Sequence, residues 1–173
     1  MTRSDGYSLS SILVHWLAAI LVVSLFFTHE GERGSAAYIF HVSGGAIAGL
    51  FLLWRVWHRM RRGMPDAPDQ WAVFNLAAWL VHRALLAAIA VVVVSGYLLP
   101  WSLGQELDVF GLGIPSPMGA NRALHEIVER VHDIAGHLFI PLAALHLVGA
   151  VKHLVFDRRG AGLRMFRPAS GGR

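Results

Sequence analysis

Histidine is the residue type in this 173-residue chain best suited to chemistry, since ten histidines stand in a sequence that is 55% hydrophobic and only 15% charged. His132 and His146 are fourteen residues apart. That spacing is nearly four helical turns, so both side chains would project from one face of a helix, ~21 Å apart along its axis. His137 falls on a different face. Histidine within a membrane segment is costly and is therefore a functional hypothesis by default.

Four apolar segments must position these histidines. Each segment reaches the ~20 residues needed to cross a bilayer core. Lipid offers no hydrogen bonds to the backbone, so a segment that crosses it alone must be a helix. The sequence therefore predicts an all-α membrane protein, a four-transmembrane-helix bundle in which residues 1–173 form one domain. We expect the helices at about 9–28, 36–57, 74–99 and 128–156, with a long outer loop at 100–127 that forms a short interfacial helix or a cap.

The distribution of basic residues predicts the orientation of the bundle. Lys and Arg concentrate in the link between the second and third segments and in the C-terminal tail. The positive-inside rule then places both termini in the cytoplasm. The first segment is interpreted as a retained helix and not a signal peptide, because Glu30 and Glu32 follow it where a small-residue cleavage site would stand.

This orientation sorts the histidines into two layers. The outer layer contains His41 and His132, and the inner layer contains His15, His82 and His146. Paired imidazoles from facing helices are what a bis-histidine metal centre needs. The chain has no cysteine, and the helix interiors hold almost no carboxylate, so iron in a porphyrin is the favoured metal.

Two other interpretations of the histidines are open. A single membrane histidine can be a hydrogen-bonded packing residue, although four that pair by depth are hard to explain in that way. A metal or proton transporter would bring Asp or Glu to mid-membrane beside the histidines, and these helices do not. The net charge of +4 lies in blocks, so we expect no nucleic-acid partner.

Small and basic residues support a porphyrin. Gly44 and Gly45 follow His41 closely, Gly136 lies one turn after His132, and Gly149 lies near His146. Missing side chains leave room for a flat group, although small residues also serve ordinary helix packing. Propionates need donors near the membrane surfaces. The basic residues there are Arg55, Arg59, Arg83 and Lys152 inside and Arg33, Arg122 and Arg130 outside.

The sequence resembles the bacterial di-haem cytochrome b561 family over nearly its whole length. The resemblance is carried by His15-Trp16, the HVSGG of residues 41–45, His82, and the HDIAGH…LH stretch that runs from His132 to His146. It implies two haem b groups, with His15 and His146 on one iron and His41 and His132 on the other. His82 is then a competitor for the inner iron, or with Arg83 a neighbour of quinone or of a propionate.

The resemblance also implies an activity. Small superoxide oxidases of this family pass electrons from superoxide to ubiquinone. This chain would do the same as a multi-pass protein of the bacterial inner membrane, with lipid, ubiquinone and superoxide as its partners. The alternative is a quinone-linked electron-transfer subunit for a dehydrogenase or a periplasmic redox partner. A histidine-based transporter without haem is the least favoured. His137 departs from the superoxide oxidase pattern, and no role is assigned to it.

Overall fold

The computed structural model describes residues 8–62 and 72–156. Predictions that fall on residues 1–7, 63–71 and 157–173, including the basic tail, lie outside the described residues. The elements are α1 (Leu9–Thr28), α2 (Ala36–Ile39), a π-helical turn (Phe40–Gly44), α3 (Gly45–Arg62), α4 (Ala72–Ser102), β1 (Leu107–Val109), β2 (Leu112–Ile114) and α5 (Arg122–Phe156).

Four helical stretches are long and apolar enough to cross a membrane: Leu9–Thr28, Ala36–Arg62, Ala72–Ser102 and Arg122–Lys152. Their large apolar side chains mostly point outward, as Leu50 and Leu147 do at 68% and 63% exposure. A helix with an apolar outer surface is stable when that surface meets lipid. The predicted four-helix membrane fold is therefore confirmed.

The helices do not pack equally against one another. Helix α5 lies closely along α4, α4 packs on α3, and α1 packs on α3 and on the π turn. Within the described residues, the backbone of α5 makes no comparably close packing with α1 or α3. An open seam therefore runs between α5 on one side and α1 and α3 on the other. We call the end of the bundle with residues 29–35 and 103–121 the loop end, and the opposite end the terminal end.

Three of the membrane helices differ from the sequence prediction in where they begin or end. The second span continues to Arg62, the third runs from Ala72 to Ser102 and includes Pro100, and α5 begins at Arg122 and not near 128. Asn121 explains the early start of α5, because its side-chain oxygen caps the helix by accepting from the Leu124 N–H at 3.0 Å. The length of an apolar segment predicts only the part of a helix that lies in the membrane core. A helix with a polar cap can continue beyond that core.

The outer loop contains a β-hairpin, not a helix. Its register pairs Leu107 with Ile114, and its turn places Phe110 and Gly111 at φ of 52° and 88°. A left-handed conformation at a bulky residue costs ~1–2 kcal/mol. Ser43 offsets that cost, since its buried hydroxyl donates to the Asp108 carbonyl at 3.1 Å and accepts from the Phe110 N–H at 3.0 Å. The hairpin is thereby tied to the π turn.

Candidate functional site

Two pairs of histidines face each other across the open seam. The rings of His15 on α1 and His146 on α5 have centroids 6.1 Å apart and cross at 70°. The rings of His41 in the π turn and His132 on α5 have centroids 6.3 Å apart and cross at 89°. We call His41–His132 the loop-end pair and His15–His146 the terminal-end pair. Their shared helix separates the two pairs by ~21 Å.

The ring separation suits one iron between the two imidazoles of each pair. A metal–imidazole bond is ~2 Å long and the nitrogen is about 1 Å from its ring centre, so rings on opposite sides of a metal have centroids roughly 6 Å apart. Both pairs meet this condition. The rings of His82 and His146 are only 4.9 Å apart and cross at 81°, which is too close for opposite sides of one iron.

The loop-end pair is prepared for ligation by its outer hydrogen bonds. The Nδ1–H of His41 donates to the Leu25 carbonyl at 2.8 Å. The Ser95 hydroxyl gives its proton to the Val91 carbonyl at 2.6 Å, so it accepts from His132 Nδ1–H at 3.0 Å. Each ring therefore carries its proton on Nδ1 and keeps the lone pair of Nε2 for a metal, as metal-binding histidines commonly do.

The terminal-end pair has a different partner. A guanidinium N–H of Arg55 donates to His15 Nδ1 at 2.7 Å, which places the His15 proton on Nε2. Ligation through Nε2 would therefore release Arg55 from this contact. The Arg55 Nε is also buried without a hydrogen-bond partner, and an orphaned buried donor is costly. An anionic group such as a haem propionate would satisfy it.

The other two predicted site residues lie in α4 at the same depth as the terminal-end pair. His82 donates from Nδ1 to the Ala78 carbonyl at 2.6 Å, so its Nε2 also keeps a lone pair. The guanidinium of Arg83 lies 5.4 Å from the centre of the Trp79 ring, within the range of a cation–π contact. The assignment of His82 and Arg83 to quinone or to a propionate stays a prediction.

The glycines of α5 leave space along the seam. A Cβ built on Gly136 or Gly149 would meet no atom within 4 Å. Gly44 and Gly45 are different, because a Cβ there would touch Phe40 and Leu25, each at 3.6 Å. The α5 glycines thus suit a flat group, whereas Gly44 and Gly45 serve local packing. The free Nε2 atoms of the loop-end pair, the open faces of the α5 glycines and the unpaired Arg55 Nε together fit haem.

Sequence reasoning missed Ser95, which orients His132. Its signal was a lone hydroxyl in the apolar run VVVVSGY of residues 91–97. Two turns away the same arrangement recurs, since Ser102 gives its proton to Leu99 and accepts from His125 Nδ1–H at 2.9 Å. Twice in this chain, therefore, a serine hydroxyl in a membrane helix accepts a hydrogen bond from a histidine of another helix.

Comparison with known proteins identifies the family of this chain. Residues 6–168 match the prokaryotic cytochrome b561 family. Cytochrome b561 homolog 2 of Escherichia coli strain K12 is 26% identical over 177 residues, which cover 96% of this chain and 94% of that protein. The family match spans all four helices and all four paired histidines, so this chain belongs to the prokaryotic cytochrome b561 family, whose members transfer electrons in the membrane through haem b.

Proposed function

We propose that this protein is a superoxide oxidase, which moves electrons from superoxide to ubiquinone across the bacterial inner membrane. The observation that carries the proposal is the placement of two suitably spaced histidine pairs at two depths of one membrane bundle. The loop end would face the periplasm, because the described cations Arg55, Arg59, Arg61, Arg62 and Lys152 gather toward the terminal end.

The reaction balances without a further reagent. The imidazoles of the two histidine pairs would hold haem b, which would supply one-electron transfer. Two superoxide anions would each lose one electron and leave as O₂. One ubiquinone would take both electrons with two protons and leave as ubiquinol. The residues of this chain would hold the iron, set the charge around it, and form the sites for superoxide and ubiquinone at the two ends of the electron path.

The charges beside the two histidine pairs support electron flow from the loop end to the terminal end. The positive charges of Arg55 and Arg59 act on His15, whereas the carboxylate of Asp133 acts on His132. A positive charge stabilises an added electron, and a negative charge opposes one. Electrons would therefore be held more strongly at the terminal end, where ubiquinone would collect them.

His82 and Arg83 are the side chains we assign to the ubiquinone end. Both lie in α4 beside the terminal-end pair, and neither belongs to the four proposed ligands. The carbonyl oxygens of a quinone need hydrogen-bonding groups close to the electron donor, and an imidazole next to a guanidinium offers them. An intramembrane Arg next to His is costly unless it has such a role.

Superoxide would meet a surface of mixed charge at the loop end. Residues 29–35 and 103–133 contain seven carboxylates and three arginines. General electrostatic attraction of an anion is therefore weak. Arg33 and Arg130 are exposed and would attract superoxide locally.

A partner-free assay tests the proposal. The purified haem-loaded protein receives a superoxide source and a soluble ubiquinone analogue, and ubiquinol formation is followed. We expect ubiquinol formation that superoxide dismutase abolishes and that His132→Ala removes. A pyridine haemochrome assay should give about two haem b per chain, extractable with acid–acetone because no cysteine can hold haem covalently. No ubiquinol formation from superoxide in the two-haem protein would overturn the proposal.

One observation favours the second candidate, an electron-transfer subunit. The hairpin presents Phe110, Leu112 and Ile114 at 59%, 68% and 40% exposure at the loop end. Such an apolar surface can dock a redox protein. This candidate predicts that superoxide fails in the assay above while a reduced periplasmic protein reduces the haem. In that case the triple change of these hairpin residues to Ser should slow reduction by the partner and leave haem content unchanged.

A further inference from the structure

A third histidine pair lies beside the loop-end pair and takes no part in the proposed electron path. His29 follows the last residue of α1, and His137 lies on α5. Their ring centroids are 6.0 Å apart and the rings cross at 83°. Two imidazoles on one tetrahedral ion have ring centroids roughly 5 Å apart, so a shift of about 1 Å in these rings would let one metal bridge them. His29 is close enough to His41 and His132 to interact electrostatically with both, which places this third pair next to them.

The outer hydrogen bonds of this pair favour metal binding. His29 donates from Nδ1 to the Phe26 carbonyl. His137 donates from Nδ1 to the Asp133 carbonyl at 2.9 Å, and the Asp133 carboxylate lies 3.2 Å from the same nitrogen. Both rings therefore keep the Nε2 lone pair. In many zinc sites a carboxylate accepts a hydrogen bond from the metal-bound imidazole. The carboxylate orients the ring and makes it a stronger ligand.

A carboxylate is available to complete the donor set. Glu30 Oε1 lies 3.9 Å from His29 Nε2, and the Glu30 side chain is 86% exposed. No three His, Asp or Glu side chains of the described ranges 8–62 and 72–156 are already gathered around one point. Glu30 would therefore have to turn toward the imidazoles, and its exposure leaves it free to do so. Two imidazoles, a carboxylate and water form a donor set that zinc accepts.

The surroundings favour a hydrated ion here and not a porphyrin. The side chains of His29 and His137 are 32% and 58% exposed, and carboxylates stand beside both. Carboxylates attract a divalent cation and disfavour anionic haem propionates. We propose that His29, His137 and Glu30 bind one divalent transition-metal ion of the zinc type at the loop end, with Asp133 as the residue that orients His137.

Direct metal binding tests this proposal independently of any electron acceptor. The haem-loaded protein, without an affinity tag, is titrated with ZnCl₂ by calorimetry, and bound zinc is counted after dialysis. We expect one zinc per chain. His29→Ala and His137→Ala should each abolish stoichiometric binding. Removal of the orienting carboxylate in Asp133→Ala should weaken it by roughly 10- to 100-fold.

Two matched controls make the result specific. His58→Ala removes a histidine that stacks on Trp54, away from the cluster. Glu32→Gln changes an exposed carboxylate two residues from Glu30. Both controls should bind zinc as the parent does, whereas Glu30→Gln should bind it more weakly. An unchanged haem spectrum shows that each variant is folded. The absence of stoichiometric zinc, or equal binding by the parent, His29→Ala and His137→Ala, would overturn the proposal.

Discussion

The two histidine pairs have nearly equal ring separations, yet their surroundings are opposite. At the loop end, His41 donates to a carbonyl oxygen and His132 donates to the Ser95 hydroxyl. At the terminal end, His15 receives a hydrogen bond from the cation Arg55. One pair is thus surrounded by hydrogen-bond acceptors, and the other is beside positive charge.

This difference separates two tasks in the proposed two-haem assignment. The spacing on α5 and the seam between helices set where iron can be held. The groups around the rings set how strongly each site holds an electron. An acceptor on Nδ1–H makes an imidazole a stronger donor to the metal and favours the oxidised state, whereas a nearby cation favours the reduced state. The same two residue types can therefore serve both ends of a directed path.

The largest effect is expected from removal of a ligand. His132→Ala should lose the loop-end haem alone and His146→Ala the terminal-end haem alone, because each pair holds its own iron in the proposed assignment. Haem content measured as the pyridine haemochrome should fall from about two to about one per chain in each variant. If His15→Ala keeps both haems while His82→Ala loses one, then His82 and not His15 is the second terminal-end ligand.

Removal of the proposed quinone contact should have the next largest effect. His82→Ala should keep both haems and reduction of haem by superoxide, and it should raise the KM for the ubiquinone analogue roughly tenfold, as loss of one hydrogen bond would. Stopped-flow absorbance separates the two half-reactions. Unchanged quinone kinetics would place quinone elsewhere. The best remaining location would be the apolar groove of about 350 Å³ between α4 and α5, which Ser95 lines at the loop end.

Removal of the terminal-end cation should bring the two sites closer in potential. Arg55→Gln should lower the midpoint potential of the terminal-end haem by an amount on the order of 50 mV, since one charge near the iron is lost in a medium of intermediate dielectric. The loop-end potential should not change. Arg61→Gln is the control, because Arg61 is exposed over Trp57. If a potentiometric titration gives the same midpoint potential for the terminal-end haem in Arg55→Gln as in the parent protein, this role of Arg55 is refuted.

The smallest effect is expected from the serine behind His132. Ser95→Ala removes the acceptor of the His132 Nδ1–H, so it should raise the loop-end midpoint potential by the equivalent of about 0.5–1 kcal/mol. Ser102→Ala is its matched control, since it removes the same contact from His125, which binds no iron in our assignment. Equal shifts in the two variants would mean that the serines act through helix packing and not through the ligand.

The apolar pattern predicted the fold well because a membrane imposes few choices. The first helix, Leu9–Thr28, lies where the sequence placed it. The errors lie where water and not lipid surrounds the chain. The start of α5 depended on the Asn121 cap, and the hairpin depended on a two-residue turn at Phe110 and Gly111. The alternating Leu107, Val109, Leu112 and Ile114 carried that signal, but a run so short does not separate a strand from an apolar loop.

The proposed ligands followed from helical phase and depth, since His132 and His146 lie on one face of one helix. Their partners did not follow, because Arg55 and Ser95 reach the rings from other helices. Which side chain of a neighbouring helix meets a ring depends on the rotation of that helix about its axis. A single sequence does not specify that rotation. For the same reason, the sequence did not predict that His29 and His137 would lie side by side.

The π turn at Phe40–Gly44 bears on how this helix could have evolved. A π turn contains about one residue more than the α turn it replaces. Deletion of one residue there would rotate everything before it by about 100° relative to α3. His41 would then leave the seam even though the histidine itself was kept. Inheritance of this ligand therefore requires a conserved helix length as well as a conserved side chain.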